Sequence, residues 1–202
     1  MASAMTGSTG HRTIPPEKLA KVREAEMRAS ARIIGARVLW PGLDGAYLED
    51  RWETRRALID LIREAGADLV LTHSTDCYHP NHRAVARMME DAVFTSSIPH
   101  VRTRFPAVRK PPALVLMDTV AGVDFQPTEY VDVTKVMAVK RRMLRKHRSQ
   151  FVWLKSHIDT GPLEMMEAQA RFRGLQCGVL YAEGFRPVLK HPLARPFRLL
   201  PA

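Results

Sequence analysis

A strand-to-helix turn is predicted for Thr72-His73-Ser74-Thr75-Asp76-Cys77-Tyr78-His79-Pro80-Asn81-His82. The apolar run 68–71 before it is typical of a strand. A helical pattern follows, with Pro80 in its first turn, where the missing proline N–H leaves no helix hydrogen bond unmade. His79 and His82 therefore lie where the strand passes into the helix. In an open α/β sheet such turns lie at the carboxyl edge, where ligands bind.

The surroundings predicted for His82 favour a neutral imidazole. It lies in the first turn of a helix whose apolar stripe, between Val85 and Val93, turns it toward the sheet. The positive helix N-terminus disfavours the imidazolium, and the neutral ring is the form that binds a divalent metal. His79 lies on roughly the same side. The H-x-x-H spacing is short and common, so it leaves open whether these histidines are ligands or capping and loop-packing residues.

The composition is that of a globular protein with one domain. The chain has 202 residues, of which 46% are hydrophobic and 26% charged, enough to build a core without extended disorder. Cys77 and Cys177 cannot form a disulfide framework, which favours a reducing cytoplasm. No apolar run approaches the ~20 residues of a membrane span, and the first residues lack the basic and apolar regions of a signal peptide.

The positive charge is concentrated in the second half. Residues 1–100 hold 13 Lys and Arg against 13 Asp and Glu, and residues 101–202 hold 18 against 8. The densest run, Lys140 to Arg148, is either a nucleic-acid footprint or the solvated face of a helix with Val136, Val139, Met143 and Leu144 turned inward. No aromatic residues interleave with these charges, so we favour the solvated helix and do not favour nucleic acid as a partner.

Helical and strand patterns alternate along the chain. Helices are predicted over 15–33, 53–65, 80–94, 131–147 and 161–172, and strands over 36–40, 68–72, 113–117 and 179–182. This alternation predicts an α/β protein with a Rossmann-like, doubly wound and mostly parallel sheet in a single domain, 1–202. The residues 187–202 are predicted to form an irregular tail.

Several short motifs resemble those of one enzyme family in their order and spacing. They are His79-Pro80-Asn81-His82 after a central strand, Arg23-Glu24-Ala25-Glu26 followed by Ile34-Gly35, Gly10-His11, Val131-Asp132-Val133-Thr134, Ser149-Gln150 and Tyr181-Ala182-Glu183-Gly184-Phe185. Over nearly its whole length the chain resembles the PIG-L/LmbE-type de-N-acetylases, zinc-dependent enzymes that remove acetyl groups from N-acetylglucosamine-containing molecules.

The resemblance implies a role for four residues. His82 would be a zinc ligand, and His79 would polarise the amide carbonyl and stabilise the oxyanion. Arg23 and Asp44 match positions that bind sugar hydroxyls. In such chemistry the metal lowers the pKa of its bound water, a carboxylate takes the proton and a nearby donor stabilises the tetrahedral intermediate. The implied cofactor is zinc, and the implied substrate is an N-acetylated amino sugar or its conjugate.

The chain also departs from the family pattern. Nothing before Thr6 matches the A-H-P-D-D-E block that supplies two zinc ligands and the general base, and Met1–Met5 matches the end of the family's second strand. We therefore expect Met1 to be an internal methionine, with the first strand and helix missing and catalysis dependent on upstream residues. Asn81 replaces the usual Asp and cannot supply its negative charge.

Two further possibilities remain open from the sequence. One is a non-catalytic sugar-binding or interaction module on a degenerate deacetylase fold, which would use Arg23 and Asp44 without a metal. The other concerns assembly, since the sequence leaves a homo-oligomer open.

Overall fold

A computed structural model describes residues 1–155 and 159–194, in which helices and strands alternate. The helices are α1 Pro16–Arg32, α2 Trp52–Ala65, α3 Pro80–Thr95, α4 Met137–Leu144, α5 Arg148–Lys155 and α6 Pro162–Cys177, and the strands are β1 Leu69–Thr72, β2 Ala113–Met117, β3 Glu129–Asp132 and β4 Ala182–Pro187. The predicted α/β class is confirmed. None of these helices is both long and apolar enough to cross a membrane.

The four strands form a mixed sheet in the order β1-β2-β4-β3. β1 and β2 are parallel, with Leu69 opposite Ala113 and Thr72 opposite Leu116. β4 runs antiparallel to β2, with Met117 opposite Phe185. Because β1 and β2 are parallel, the segments that follow them leave from the same edge of the sheet, and the histidine turn is one of these segments.

The chain divides into two compact units. The first contains residues 1–49, 120–123 and 130–184, and the second contains 50–119, 124–129 and the chain from 185 onward. The single domain predicted over 1–202 stays a prediction.

The second unit has its core between α2, α3 and the sheet. Leu58 and Ile59 of α2 and Met88 and Val93 of α3 are almost fully buried, and α2 packs against α3. Each such side chain contributes about 1.5–3 kcal/mol through burial of its apolar surface. Gly66 ends α2 in the left-handed conformation that favours glycine, with φ 58°. The histidine turn is therefore attached to a well-packed element.

In the first unit α1 packs against α4 and α5, and Val133, Met137 and Ala170 form a buried cluster. The strand predicted over 36–40 is wrong. This segment forms only isolated parallel bridges with the start of the chain, Ala2 to Leu39 and Met5 to Leu43. Between these bridges lie a proline, which lacks an N–H, and Gly42 with φ 70°, so a continuous ladder cannot form.

The predicted basic helix also begins later than expected. Residues 129–132 form β3, a short 3-10 turn follows, and α4 begins only at Met137. Val136 was predicted to face inward but is 51% exposed, whereas Met137 is 1% exposed. The β-branched residues around 131–133 favour a strand, and Asp132 ends it by accepting a hydrogen bond from the Thr134 N–H at 2.9 Å.

The last strand lies three residues beyond its predicted start. α6 runs to Cys177, and Gly178 with φ 78° follows it, so the connecting turn occupies 178–181 and β4 begins at Ala182. The irregular tail predicted from Pro187 therefore starts too early, because Pro187 pairs with Val115 in β4. Residues 195–202 of that tail lie outside the described residues.

Candidate functional site

Three histidines are stacked at the turn after β1. The ring centroids of His73 and His82 lie 3.9 Å apart with 4° between the planes, and those of His79 and His82 lie 4.6 Å apart at 24°. His79 and His82 were predicted as site residues, and His73 was not. The sequence position of His73 could have predicted it as a site residue. It directly follows the last residue of β1 and so lies at the same edge of the sheet.

His82 is held in its neutral form by its environment. Burial, and then the charges on His73 and His79, lower the pKa of His82 to about 3. Its Nδ1 lies 3.2 Å from the Sγ atom of Cys77, a thiol that is 2% exposed. The neutral imidazole predicted from the sequence is therefore the form that this site favours, with burial as the main cause.

His79 serves as the N-cap of α3. Its Nδ1 accepts a hydrogen bond from the Asn81 N–H at 3.2 Å. In a neutral imidazole one ring nitrogen accepts and the other donates, so the proton of His79 lies on Nε2. Burial and the nearby Arg83 guanidinium lower the pKa of His79, which favours this neutral donor. Capping thus occupies one nitrogen and leaves the other as a hydrogen-bond donor.

Two arginines fix the backbone and the acidic residue of the turn. Arg83 Nη1 donates hydrogen bonds to the carbonyl oxygens of Cys77 at 2.7 Å and Tyr78 at 2.6 Å. Arg186 of β4 forms an ion pair with Asp76 at 3.1 Å. These contacts attach the turn to α3 and to the sheet. The backbone that carries the histidines is therefore held in one conformation.

The second pair of predicted residues meets at a glycine loop in the first unit, residues 6–10. The exposed Asp44 accepts hydrogen bonds through Oδ1 from the hydroxyls of Thr6, at 2.6 Å, and Ser8. The hydrogen bond from Ser8, followed by that from Thr6, lowers the pKa of the Asp44 carboxyl. Asp44 therefore presents an ionised carboxylate beside the loop.

Arg23 approaches the same loop from α1. Its Nη1 donates to the Gly7 carbonyl at 2.6 Å and its Nη2 to the Gly10 carbonyl at 2.7 Å. Three residues further along α1, Glu26 accepts hydrogen bonds from the Ser149 N–H at 2.8 Å and the Ser149 hydroxyl at 2.7 Å. The R-x-x-E motif of α1 thus holds the glycine loop with one charge and the start of α5 with the other.

The described residues do not by themselves fit a zinc ion. Catalytic zinc takes three protein ligands and a water, usually from His, Cys, Asp or Glu side chains. Across residues 1–155 and 159–194, no three such side chains converge in an arrangement that could hold a metal. His82 supplies a neutral imidazole, and its Nδ1 already contacts Cys77. The zinc implied by the resemblance therefore stays a prediction.

Comparison with known proteins supports the family resemblance. The family profile described as PIG-L, GlcNAc-PI de-N-acetylase, matches residues 1–93. A diacetylchitobiose deacetylase from Thermococcus kodakarensis is 28% identical over 193 residues, which cover 84% of this chain and 63% of that protein. The chain therefore spans less than two thirds of the length of this relative.

Solved structures of other proteins share the fold of this chain. The N,N'-diacetylchitobiose deacetylase of Pyrococcus horikoshii, in complex with an inhibitor, is 26% identical with a TM-score of 0.75, covering 91% of this chain and 70% of that chain. GalB, a 4-carboxy-2-hydroxymuconate hydratase from Pseudomonas putida, shares the fold at 18% identity and a TM-score of 0.71, covering 96% and 84%. The predicted resemblance to the PIG-L/LmbE-type deacetylases is confirmed.

Proposed function

We propose that the chain belongs to a hydrolase that removes an acetyl group from an N-acetylglucosamine-type sugar or its conjugate. The observation that carries this proposal is the state of His79, whose Nδ1 caps α3 and whose Nε2–H remains as a donor at the carboxyl edge of the sheet. The two deacetylases named above, which act on diacetylchitobiose, support the same substrate class.

In this proposal His79 donates from Nε2 to the carbonyl oxygen of the acetamide. The same hydrogen bond strengthens as negative charge develops on that oxygen, because a charged acceptor binds an N–H donor more strongly than a neutral one. The donor is already oriented, so no reorganisation is needed. One preorganised donor of this kind typically contributes about 10²–10³ in kcat. His82, neutral and stacked on His79, is the proposed metal ligand of the chain.

Asp44 and Arg23 serve sugar binding in the proposal. The ionised and exposed carboxylate of Asp44 is suited to accept hydrogen bonds from sugar hydroxyls. Arg23 lies at the same glycine loop. Catalysis also requires a general base and metal ligands beyond those that the described residues bring together.

The proposal is tested by acetate release from protein purified from its natural source. N-acetylglucosamine and N,N'-diacetylchitobiose are the substrates, and the zinc content of the same sample is measured. We expect acetate release together with about one zinc per chain. A metal-free protein that releases no acetate would overturn the proposal.

A second candidate, a non-catalytic sugar-binding module, is favoured by one observation: no metal-holding group converges among the described residues. It predicts that the natural protein binds diacetylchitobiose through the glycine loop and Asp44 without releasing acetate. Asp44→Asn should then weaken sugar binding, while His79→Asn should leave it unchanged.

Nucleic acid remains a disfavoured partner. Within the basic run, Lys140 forms an ion pair with Glu183, and Arg141 forms one with Glu167 at 2.6 Å. Two of the charges are thus engaged within the first unit, as expected for a solvated helix face. Cytoplasmic location and homo-oligomer formation stay predictions.

A further inference from the structure

The segment between α3 and β2, residues 96–112, carries positive charge and no negative charge. The chain has no Asp or Glu between Asp91 and Asp118. Within the segment lie four exposed basic residues, Arg102, Arg104, Arg109 and Lys110. None of the four forms an ion pair with another described residue. The charge of this segment, which we call the basic loop, is therefore directed to solvent.

The backbone of the basic loop is fixed from inside the protein. The buried guanidinium of Arg63 donates hydrogen bonds at 2.9–3.1 Å to four of its carbonyl oxygens, those of Ser96, Ile98, Val101 and Phe105. It also donates to the Thr103 hydroxyl at 3.0 Å. Because Thr103 faces Arg63, its neighbours Arg102 and Arg104 lie on the outer side of the loop, as their exposure shows.

The basic loop offers its side chains, and not its backbone, to a partner. Besides the carbonyls bound by Arg63, the N–H groups of Arg104 and Phe105 donate to Asp60 at 3.1 and 3.4 Å. Four further positions have no N–H, namely Pro99, Pro106, Pro111 and Pro112. The loop is therefore poorly suited to pair with a strand of a peptide partner.

The basic loop also lacks a free aromatic ring for stacking on nucleic-acid bases. Its one aromatic residue, Phe105, is half-buried, and the Arg104 guanidinium lies over the ring at 5.3 Å from the centroid. Binding of single strands typically combines positive charge with exposed aromatic platforms. Recognition by this loop therefore depends on charge alone.

The basic loop and the histidine turn lie at opposite edges of the sheet. The turn follows the carboxyl end of β1, whereas the loop leads into the amino end of β2, and the two strands are parallel. The helix that joins them, α3, has 16 residues and is about 24 Å long. A surface bound by the loop would therefore leave the histidine turn facing solution.

We propose that the basic loop docks the protein on an anionic phospholipid surface. Clusters of Lys and Arg are attracted to such surfaces without a groove or a sequence-reading motif, and guanidinium groups bind phosphate oxygens in pairs. Phe94, in the last turn of α3 directly before the loop, is 48% exposed and supplies an apolar side chain for the membrane interface. The proposal does not depend on the proposed deacetylation.

The test measures cosedimentation of the natural protein with two kinds of vesicle, phosphatidylcholine alone and phosphatidylcholine with about 30% phosphatidylserine. The loop variant is Arg102→Gln/Arg104→Gln/Arg109→Gln/Lys110→Gln. The control removes the same charge from four exposed residues of the other basic run and is Arg142→Gln/Arg145→Gln/Lys146→Gln/Arg148→Gln. Circular dichroism confirms that each variant is folded.

We expect the natural protein to bind the anionic vesicles at least about 100-fold more tightly than the neutral ones, and the binding to weaken as salt is added. The loop variant should lose about 5-fold for each charge removed, and at least about 100-fold in all, whereas the control should stay within about 3-fold of the natural protein. The single variants Arg102→Gln and Arg109→Gln, each with about a 5-fold loss, keep the test valid should the loop variant not fold.

Three results would overturn the proposal. The first is that the natural protein does not bind anionic vesicles, and the second is that the loop variant and the control lose equal affinity, which would mean attraction by net charge alone. The third is that the natural protein binds a single-stranded oligonucleotide through the loop but no vesicle, which would make the loop a nucleic-acid surface. Acetate release by the loop variant should equal that of the natural protein, because the histidine turn lies at the opposite edge of the sheet.

Discussion

His79 carries two hydrogen-bonding functions on one ring. Capping of α3 uses Nδ1, and the neutral state then places the proton on Nε2. The capping and the chemical interpretations of this histidine, which the spacing leaves open, are therefore compatible. A histidine at the N-cap is preoriented because the helix fixes the ring through its own backbone.

We predict that His79→Asn lowers kcat for deacetylation by about 10²–10³ with little change in KM, because a donor used in the transition state is lost. Asparagine is a good N-cap residue, so α3 should remain folded. The matched control is His100→Asn, at an exposed histidine. Steady-state kinetics on diacetylchitobiose provide the measurement, and a kcat equal to wild type would contradict the role of His79.

The stacked histidines also make stability depend on pH. The pKa of His82 falls from 6.5 to about 3 on folding, so the unfolded chain binds this proton more readily. The contribution of His82 is therefore fully present above the unfolded pKa and is lost as the pH falls from about 6.5 toward 3.

We predict that wild type loses more unfolding free energy than His82→Gln between pH 7 and pH 4, because glutamine does not titrate. Urea unfolding at both pH values measures the difference, and carboxylates common to both proteins cancel in the comparison. Equal losses in the two proteins would show that His82 is not buried as a neutral ring.

The sequence placed His79 and His82 correctly in the turn and predicted a neutral His82. It could not reveal the stacking of His73 or the contact between His82 and Cys77. Both depend on the path of the seven irregular residues 73–79, for which hydrophobic periodicity provides no information.

At the scale of elements, α2 carries a buried arginine that organises the irregular segment after α3. Arg63 is 7% exposed and donates to oxygens of the segment 96–105, including the carbonyls of Ser96, Ile98 and Val101 at 2.9–3.0 Å. No helix or strand was predicted for this segment. Arg63 gives it a fixed conformation by satisfying several backbone acceptors from a single side chain.

We predict that Arg63→Met lowers the free energy of unfolding by about 2–4 kcal/mol, because methionine fills much of the volume but leaves these acceptors unpaired. Arg56→Ala on the exposed face of α2 is the control and should change stability by less than about 0.5 kcal/mol. Chemical denaturation checks both, and a loss in Arg63→Met as small as in the control would contradict the account.

Element prediction succeeded where the local pattern was strong. β2 has its predicted bounds, 113–117, and α2 begins one residue before its predicted start. The prediction failed at 131–136 because strand-favouring valines precede a helical period, and the boundary is fixed by pairing with distant residues. The Val133 N–H, for example, bonds to the Tyr181 carbonyl at 3.0 Å.

For the whole molecule, the alternation of helices and strands was sufficient to predict the α/β class. This alternation could not predict the antiparallel direction of β4 or the division into two compact units, because both depend on contacts between distant segments. The fold does not determine the reaction either, since a hydratase shares it. The proposed activity therefore rests on the histidine turn and the relatives, and not on topology.

Metal removal tests the central claim most directly. Protein from its natural source is assayed for acetate release from diacetylchitobiose, then treated with a chelator and finally reloaded with zinc. We predict that chelation abolishes acetate release and that about one equivalent of zinc restores it. His82 would hold the ion together with ligands that the described residues do not bring together, and the ion would supply activation of water near neutral pH. Undiminished release by metal-free protein, or no release by zinc-loaded protein, would contradict the account.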